Sequence, residues 1–278
     1  MERHEKLLRN VPFHGLGLEI GPSYAPTTPK SKGWNCHVLD HMDAAGLKLK
    51  YGPGVPIYKI EEVDFVWSGQ TYRELVGDNR YDYIIASHVI EHVPNLIGFL
   101  EDCRSILKPG GVMSLAIPDM RFCFDCLRSV SDIGGVIDAH LLDRKSNSPG
   151  RVYDYFSKAV MLGDAHLWST ETLEGLRFMR ETDFAPFAFA QALHKDQDYD
   201  VHCWTFTPSS FRMILQSLNK LGFVGLKEIE FFDSSDGEFF LTLCEVGDGR
   251  NLDELTLLRE MRRELASVFS VPDVPVAQ

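Results

Sequence analysis

The stretch LEIGPSYAP, residues 18–26, decides how this chain is read. An apolar run leads through Glu19 and Ile20 into Gly21. A glycine at that place lets backbone come close to a ligand. Nineteen residues beyond Gly21, at the end of the next apolar run (NCHVLD, 35–40), stands Asp40. An acidic side chain about 20 residues after a glycine turn accepts hydrogen bonds from both hydroxyls of a ribose. Acidic strand ends are common, but the pairing with Gly21 at this spacing predicts a nucleoside site at the carboxyl edge of a parallel sheet.

The sequence on either side supports such a sheet. GLGLEIG (15–21), NCHVLD, PIYKI (56–60), YDYIIAS (81–87) and VMSLAIPD (112–119) are each short enough for a buried strand. Short helices are expected at DAAGLKLKY (43–51) and TYRELVG (71–77). A stronger one is expected at NLIGFLEDCRSILKPGG (95–111), where Asn95 caps an apolar stripe and Lys108-Pro109-Gly110-Gly111 stops it. Alternating strands and helices argue for a parallel sheet covered on both faces. Residues 119–204 carry helix-like stretches, RVYDYFSKAVML (151–162) and APFAFAQALHK (185–195), without clear strands. Regular order returns with a helix at FTPSSFRMILQSLNKLG (206–222), capped by Thr207 or Ser209, and two β runs (223–232 and 237–246). DSSDG (233–237) between them reads as a hairpin turn. An amphipathic helix (251–269) and a Pro-rich tail close the chain.

Which nucleoside cofactor fits? A pyrophosphate needs a glycine-rich turn opening onto free N–H donors at a helix start. Here Pro22, Pro26 and Pro29 remove donors, and no G-x-G-x-x-G follows the strand. NAD fits poorly. A phosphate-free adenosyl donor asks only for one close turn, one ribose carboxylate and an adenine pocket.

LEIGPSYAP, VLDHMD (38–43), YDYIIASHVIEHV (81–93) and LKPGGVMSLAIPD (107–119) resemble, in order, the successive motifs of class I S-adenosylmethionine-dependent methyltransferases. The first motif reads E-x-G-P-S in place of the fuller D/E-x-G-x-G-x-G. The resemblance implies a Rossmann-like α/β sheet of order 3-2-1-4-5-7-6, with strand 7 antiparallel and a largely helical insertion after strand 5. Residues 1–118 and 205–278 would form the donor-binding domain and 119–204 an acceptor lid. S-adenosylmethionine is the implied cofactor. Glu19, Gly21, Pro22 and Ser23 would line its methionine and ribose, Asp40 would hold the ribose hydroxyls, and His41 would lie near the adenine. Asp64 and Phe65 would flank the adenine, while Ser87 and His88 would face the transferring methyl. EEVDFVW (61–67), IASHVIEHVPNLIGFL (85–100) and LAIPDMRFCFD (115–125) look like bacterial methyltransferases that accompany glycosyltransferases in surface-polysaccharide pathways. That implies O-methylation of a sugar, glycan or nucleotide sugar.

His88, Glu91 and His92 also spell H-x-x-E-H, a zinc-enzyme pattern. Zinc binding by that pattern needs a helix presenting both imidazoles on one face. Here a strand precedes it, Pro94 disfavours helix at Val93, and spacing shows no third ligand. The expectation is a strand-to-loop transition with no metal, in which Glu91 and His92 brace the loop.

Methylating a hydroxyl asks for a base, and histidine has a suitable pKa. His202, in DVHCW (200–204), is favoured over His88; His140 and His194 are further candidates, and lone histidines of this kind are more often structural. Asp119 and Arg121 leave the fifth strand where acceptors dock, and Trp204 re-enters beside them, so Asp119 joins the catalytic set and Arg121, His202 and Trp204 the acceptor set. Arg121, Arg144, Lys145 and Arg151 offer charge to an anionic acceptor group, or are solvated surface charge.

Composition narrows the classes. The net charge is −12, from 28 Lys and Arg against 40 Asp and Glu, which disfavours nucleic acid as a partner. No apolar run approaches the ~20 residues of a membrane span, and the charged N-terminus lacks a secretory core, so a cytoplasmic protein is expected. Six scattered cysteines do not suggest a disulfide framework, and CFDC (123–126) reads as helical spacing on a packed face. The acceptor is expected to be a small molecule or glycan; the sequence leaves oligomeric state open. Two other readings remain: a non-catalytic binding protein of the same fold, and a nicotinamide-dependent sugar-modifying enzyme.

Overall fold

The structure, a computed structural model, describes residues 1–168, 175–194, 199–246 and 249–267. A short helix α1 (Arg3–Leu7) precedes β1 (Gly17–Ile20), β2 (Cys36–Asp40) and α2 (Ala44–Tyr51). Then come β3 (Phe65–Val66), α3 (Tyr72–Val76), β4 (Tyr81–Ser87), α4 (Leu96–Ile106) and β5 (Leu107–Pro118). The next segment holds α5 (Ile133–Leu141), α6 (Pro149–Lys158), β6 (Val160–Leu162), β7 (Ala165–His166), β8 (Leu176–Phe178) and α7 (Phe184–His194). The last elements are α8 (Pro208–Leu221), β9 (Lys227–Ser235), β10 (Glu238–Cys244) and α9 (Glu254–Ser267). Lys195 of the expected α7 run, the last two residues of the 251–269 run and the Pro-rich tail lie outside the described residues.

Seven strands form one Rossmann-like sheet in the order β3-β2-β1-β4-β5-β10-β9. The first five are parallel, and β10 runs antiparallel to both β5 and β9. That is the expected 3-2-1-4-5-7-6, with β10 as the antiparallel seventh strand. Both faces are covered, which is why these strands read as continuous apolar runs. Ile84 and Ala86 share the main core with Leu96, Leu100 and Cys103 of α4, while Tyr83 and Ile85 pack with Cys36, Val112 and Cys244. Gly17 belongs to this packing: a β-carbon there would fall 2.0 Å from the Tyr83 ring. Asn95 caps α4 by accepting from the Gly98 N–H at 2.9 Å, and Thr207 caps α8. The β9–β10 hairpin turns at Asp236-Gly237, both at positive φ (54° and 85°), as a two-residue type I′ turn requires. Residues 233–235 of DSSDG belong to β9 itself.

Three local expectations are corrected. PIYKI is not the third strand: Ile57–Lys59 form a 3-10 turn, and β3 follows at Phe65–Val66, paired with Leu39 and Asp40. Pro56 supplies no N–H to a ladder, and Tyr58 is 82% exposed; Ile60 alone of that run is buried, with Ile57 packed partly against it. The 119–204 segment is not only helical. The run RVYDYFSKAVML splits after Lys158, and Val160–Leu162 becomes the middle strand of an antiparallel β7-β6-β8 sheet, with β7 joined by a two-residue turn. CFDC is a turn rather than a helix face, although both thiols are buried, and burial pushes that of Cys126 up to about 11. The segment leaves and rejoins the sheet at one place, where Asp119 bridges Phe206 and the Met120 N–H donates to the Phe206 carbonyl at 2.8 Å.

Candidate active site

At the carboxyl ends of β1 and β2 lies a crevice built almost entirely by local sequence. Gly21 takes φ +61° and its N–H donates to the Leu39 carbonyl at 2.8 Å, tying the turn to β2. A β-carbon on Gly21 would approach Val89 to 3.2 Å, so this turn depends on glycine twice over. Glu19 lies beneath the turn, buried. Its carboxylate accepts from the Thr27 N–H (2.6 Å), the Thr28 N–H (2.9 Å) and the Thr28 hydroxyl (2.8 Å), folding residues 22–28 back over the strand end. Burial raises the Glu19 pKa, and those donors oppose the rise. Ser23, also at positive φ (48°), has its hydroxyl buried with no partner among the described residues. Asp40 is buried, and its Oδ1 accepts from the His41 N–H at 2.7 Å and meets His41 Nδ1 at 2.6 Å. Its Oδ2 has no partner among the described residues. A glycine cradle, a lone buried hydroxyl and a carboxylate oxygen left over fit a phosphate-free adenosyl group.

Other expected cofactor contacts have protein partners. Asp64 accepts from Lys30 Nζ (2.6 Å) and the Val38 N–H (2.7 Å), bracing β2 against β3, and Phe65 stands edge-on to His37. Pro22 is half-buried beside Gly21. Ser87 Oγ accepts from Arg3 at 2.6 Å. His88 sits at φ +55° with Nε2 2.8 Å from Glu238, which also takes Arg3 at 2.6 Å. Burial pushes the Glu238 carboxyl up, but His88 and Arg3 outweigh it and hold it below the usual range. Asp119 is fully buried, gripped by Arg121 (2.5 Å) and by the Ser234 hydroxyl.

The insertion delivers a second constellation. Trp204 pins the returning chain on the H-x-x-E-H loop: its N–H donates to the Glu91 carbonyl at 3.1 Å and its indole N–H to the Val93 carbonyl at 2.7 Å. Trp204 is buried at this seam and also lines the cavity that holds Arg144 and Arg151. The pinning puts His202 edge-on to His92, ring centroids 4.6 Å apart. His202 Nδ1 lies 2.5 Å from Asp125, whose other oxygen accepts from Arg128 at 2.7 Å. Burial pushes the Asp125 carboxyl up, and His202 and Arg128 more than reverse that. His92 Nδ1 lies 2.9 Å from Asp200, which also pairs with Lys50 at 3.2 Å. Lys50 in turn reaches His41 Nε2 at 3.1 Å, joining the two constellations. Between the imidazoles lies Glu91, 1% exposed, with neither carboxylate oxygen hydrogen-bonded among the described residues.

The H-x-x-E-H spelling is thus a strand end and turn, and its histidines diverge, His88 to Glu238 and His92 to Asp200. His140 contacts Asn95 (3.2 Å), away from His202. Asp125 and Asp200 escaped the sequence reading. Asp125 was hidden inside a cysteine pattern, and Asp200 stands two residues before a histidine without any periodic signal.

Comparison with known proteins completes the description. The family described as "Methyltransferase domain" matches residues 7–220. The ubiquinone biosynthesis O-methyltransferase of Bradyrhizobium sp. (strain ORS 278) is 42% identical over 43 residues, 16% of this chain and 17% of that protein. The same-named protein of Maricaulis maris (strain MCS10) is 33% identical over 76 residues, 27% of this chain and 24% of its own. The similarity therefore spans a quarter or less of these relatives. Among solved structures, the CcbJ methyltransferase from Streptomyces caelestis aligns with 88% of this chain and 97% of its own, at 12% identity and a TM-score of 0.44. The glycopeptide N-methyltransferase MtfA with sinefungin aligns with 87% and 91%, at 13% identity and a TM-score of 0.42.

Proposed function

The chain belongs to the methyltransferase-domain family and is an S-adenosylmethionine-dependent methyltransferase; from that premise we propose that it methylates a hydroxyl of a sugar, glycan or nucleotide sugar. When bound, the donor supplies an electrophilic sulfonium methyl. Asp40 would hold the ribose hydroxyls and the Gly21 turn would line the methionine. The insertion would exclude water and hold the acceptor oxygen for attack on the methyl.

The observation that carries the oxygen acceptor is the group formed by buried Glu91 and His202 with half-buried His92, Asp125 standing behind His202. A hydroxyl is a poor nucleophile until its proton is drawn off, and this group is equipped to draw it. The similarity to proteins named O-methyltransferases favours the same atom. An anionic acceptor such as a nucleotide sugar is favoured by Arg144 and Arg151. They line one cavity with Ser146, Ser148, Asp138 and Trp204, and neither has an ion-pair partner among the described residues. Arg151 stacks on Trp204 at 5.1 Å, and burial together with Arg128 lowers its pKa.

Labelled donor incubated with free hexoses, nucleotide sugars, phenols and amines tests this reading. Methyl ethers on sugar hydroxyls are expected, with nucleotide sugars preferred. Label on nitrogen, or only on phenols, would refute the sugar assignment. Donor binding without turnover on the whole panel would favour a non-catalytic protein.

A further inference from the structure

We infer that Glu91, His92 and His202 form a binding site for a divalent first-row transition-metal cation beside the donor crevice. One ligating atom from each residue lies within 4.8 Å of the other two. Both imidazoles are arranged as metal ligands are. The Nδ1 of His202 is hydrogen-bonded to Asp125, the carboxylate backing usual behind a metal-ligating histidine, and the Nδ1 of His92 lies 2.9 Å from Asp200, which leaves each Nε2 for a cation. Glu91 is the independent sign. A buried carboxylate with no hydrogen bond is costly, yet the nearest imidazole nitrogens, His88 Nδ1 and His92 Nε2, stop at 3.8 and 3.9 Å. Those gaps exceed a hydrogen bond and suit an ion between the groups. Ligand bonds of about 2.1 Å in tetrahedral geometry put ligand atoms about 3.4 Å apart, so the Glu91–His92 pair at 3.9 Å closes by about half an ångström on loading, and a pair at the 4.8 Å limit by about 1.4 Å. Two nitrogens and one carboxylate favour zinc, cobalt, iron or manganese over the all-oxygen sites of calcium and magnesium. The spacing argument against zinc concerned His88 and His92 as a helical pair; here His88 is replaced by His202 from the insertion.

The inference rests on the hydroxyl-methylation reading and deepens it. Three protein ligands leave a position for the acceptor oxygen, and His202 then acts as a ligand rather than as the base. The acceptor O–H bond breaks and its proton passes to the Glu91 oxygen left off the cation. The O–CH3 bond forms as the S–CH3 bond breaks, its electron pair remaining on sulfur as a neutral thioether. Glu91 returns the proton to solvent.

Cation uptake is measured on the full chain without acceptor, so a wrong acceptor class leaves the result intact. Chelator-stripped protein is titrated with Co2+, followed by visible absorption and by calorimetry, with Zn2+ in competition. One equivalent is expected, displaced by Zn2+. Glu91→Gln and His202→Gln should each weaken uptake at least tenfold, and Asp125→Asn by about 10–100-fold. S-adenosylhomocysteine affinity should be unchanged in all three, which shows that they fold. No uptake by the parent protein, uptake equal in parent and variants, or full sugar methylation by the stripped enzyme would each overturn the cation site. Uptake as described with no sugar methylation would leave the cation site standing and remove the acceptor assignment.

Discussion

Asp40 and Glu91 are both buried carboxylates at the same edge of the sheet, and they are held in opposite ways. Asp40 is served by its own neighbour, His41, at 2.6 and 2.7 Å. The turn it faces is complete within residues 19–41, with Glu19 folding the loop and Gly21 bonded to Leu39. Glu91 has no hydrogen bond to its carboxylate among the described residues, and its surroundings come from three distant segments, around residues 91–92, 125 and 200–202. One region is a local device repeated wherever a strand meets a nucleoside. The other exists only because the insertion returns to the sheet beside its point of departure. Binding of the donor and activation of the acceptor should therefore separate under mutation.

The largest expected effect is on the acceptor side. Glu91→Gln, which removes the group that takes the acceptor proton, should lower kcat by about 10²–10⁴-fold, the usual span for removing a proton-handling group. S-adenosylhomocysteine affinity by calorimetry should stay within a few-fold. A collapse of that affinity would show the two regions to be one.

Next comes the donor side. Hydrogen bonds to a charged group are worth about 1.5–3 kcal/mol, so Asp40→Ala should weaken donor binding by roughly 10–100-fold, with kcat at saturating donor little changed. Unaltered affinity would refute the ribose assignment. Gly21→Ala acts on the same crevice through backbone. At φ +61° a β-carbon costs about 1–2 kcal/mol, read as a lower midpoint in denaturant, and its contact with Val89 should reduce donor affinity as well. Val89→Ala in the same chain should restore part of the affinity and none of the backbone cost.

The contrast also explains what was legible in the sequence. The strand ends and the Gly21–Asp40 spacing were, because strand ends and glycine turns are written in neighbouring residues; the sheet order came with the family resemblance. The third strand was not: two residues at Phe65–Val66 carry no periodic signal, while PIYKI looks more like a strand than it is. His202 stood out as a histidine near an aromatic re-entry. Its partners did not, since nothing in CFDC marks Asp125 and nothing marks Glu91 as unpartnered until the insertion is folded. The small β7-β6-β8 sheet was hidden for the same reason, as its pairings are set by packing rather than by alternation.

A smaller effect concerns pH at the joint between the two regions. Arg3 and His88 hold Glu238 below its ordinary pKa despite burial. A depressed carboxyl stabilises the fold fully above the unfolded value, about 4.3, and that contribution is lost as pH falls through the folded value. Arg3→Ala should remove about 1 kcal/mol at neutral pH and flatten the acid limb of a stability–pH curve. Equal slopes for the two proteins would mean that Arg3 does not set the Glu238 ionisation.

The smallest expected effect is at the bridge between the regions. Lys50 reaches His41 at 3.1 Å on the donor side and Asp200 at 3.2 Å on the acceptor side. Asp200 is 64% exposed, and exposed ion pairs contribute about 0–1 kcal/mol. Lys50→Met should therefore move stability by less than about 1 kcal/mol and donor affinity by no more than a few-fold. Its value lies in a cycle with Asp40→Ala. If the donor crevice and the acceptor group are independent, the two substitutions add in acceptor KM within about 0.5 kcal/mol. A larger interaction term would mean that filling the crevice repositions Asp200 and, through it, His92. The local and the assembled region would then communicate through Lys50, which touches both.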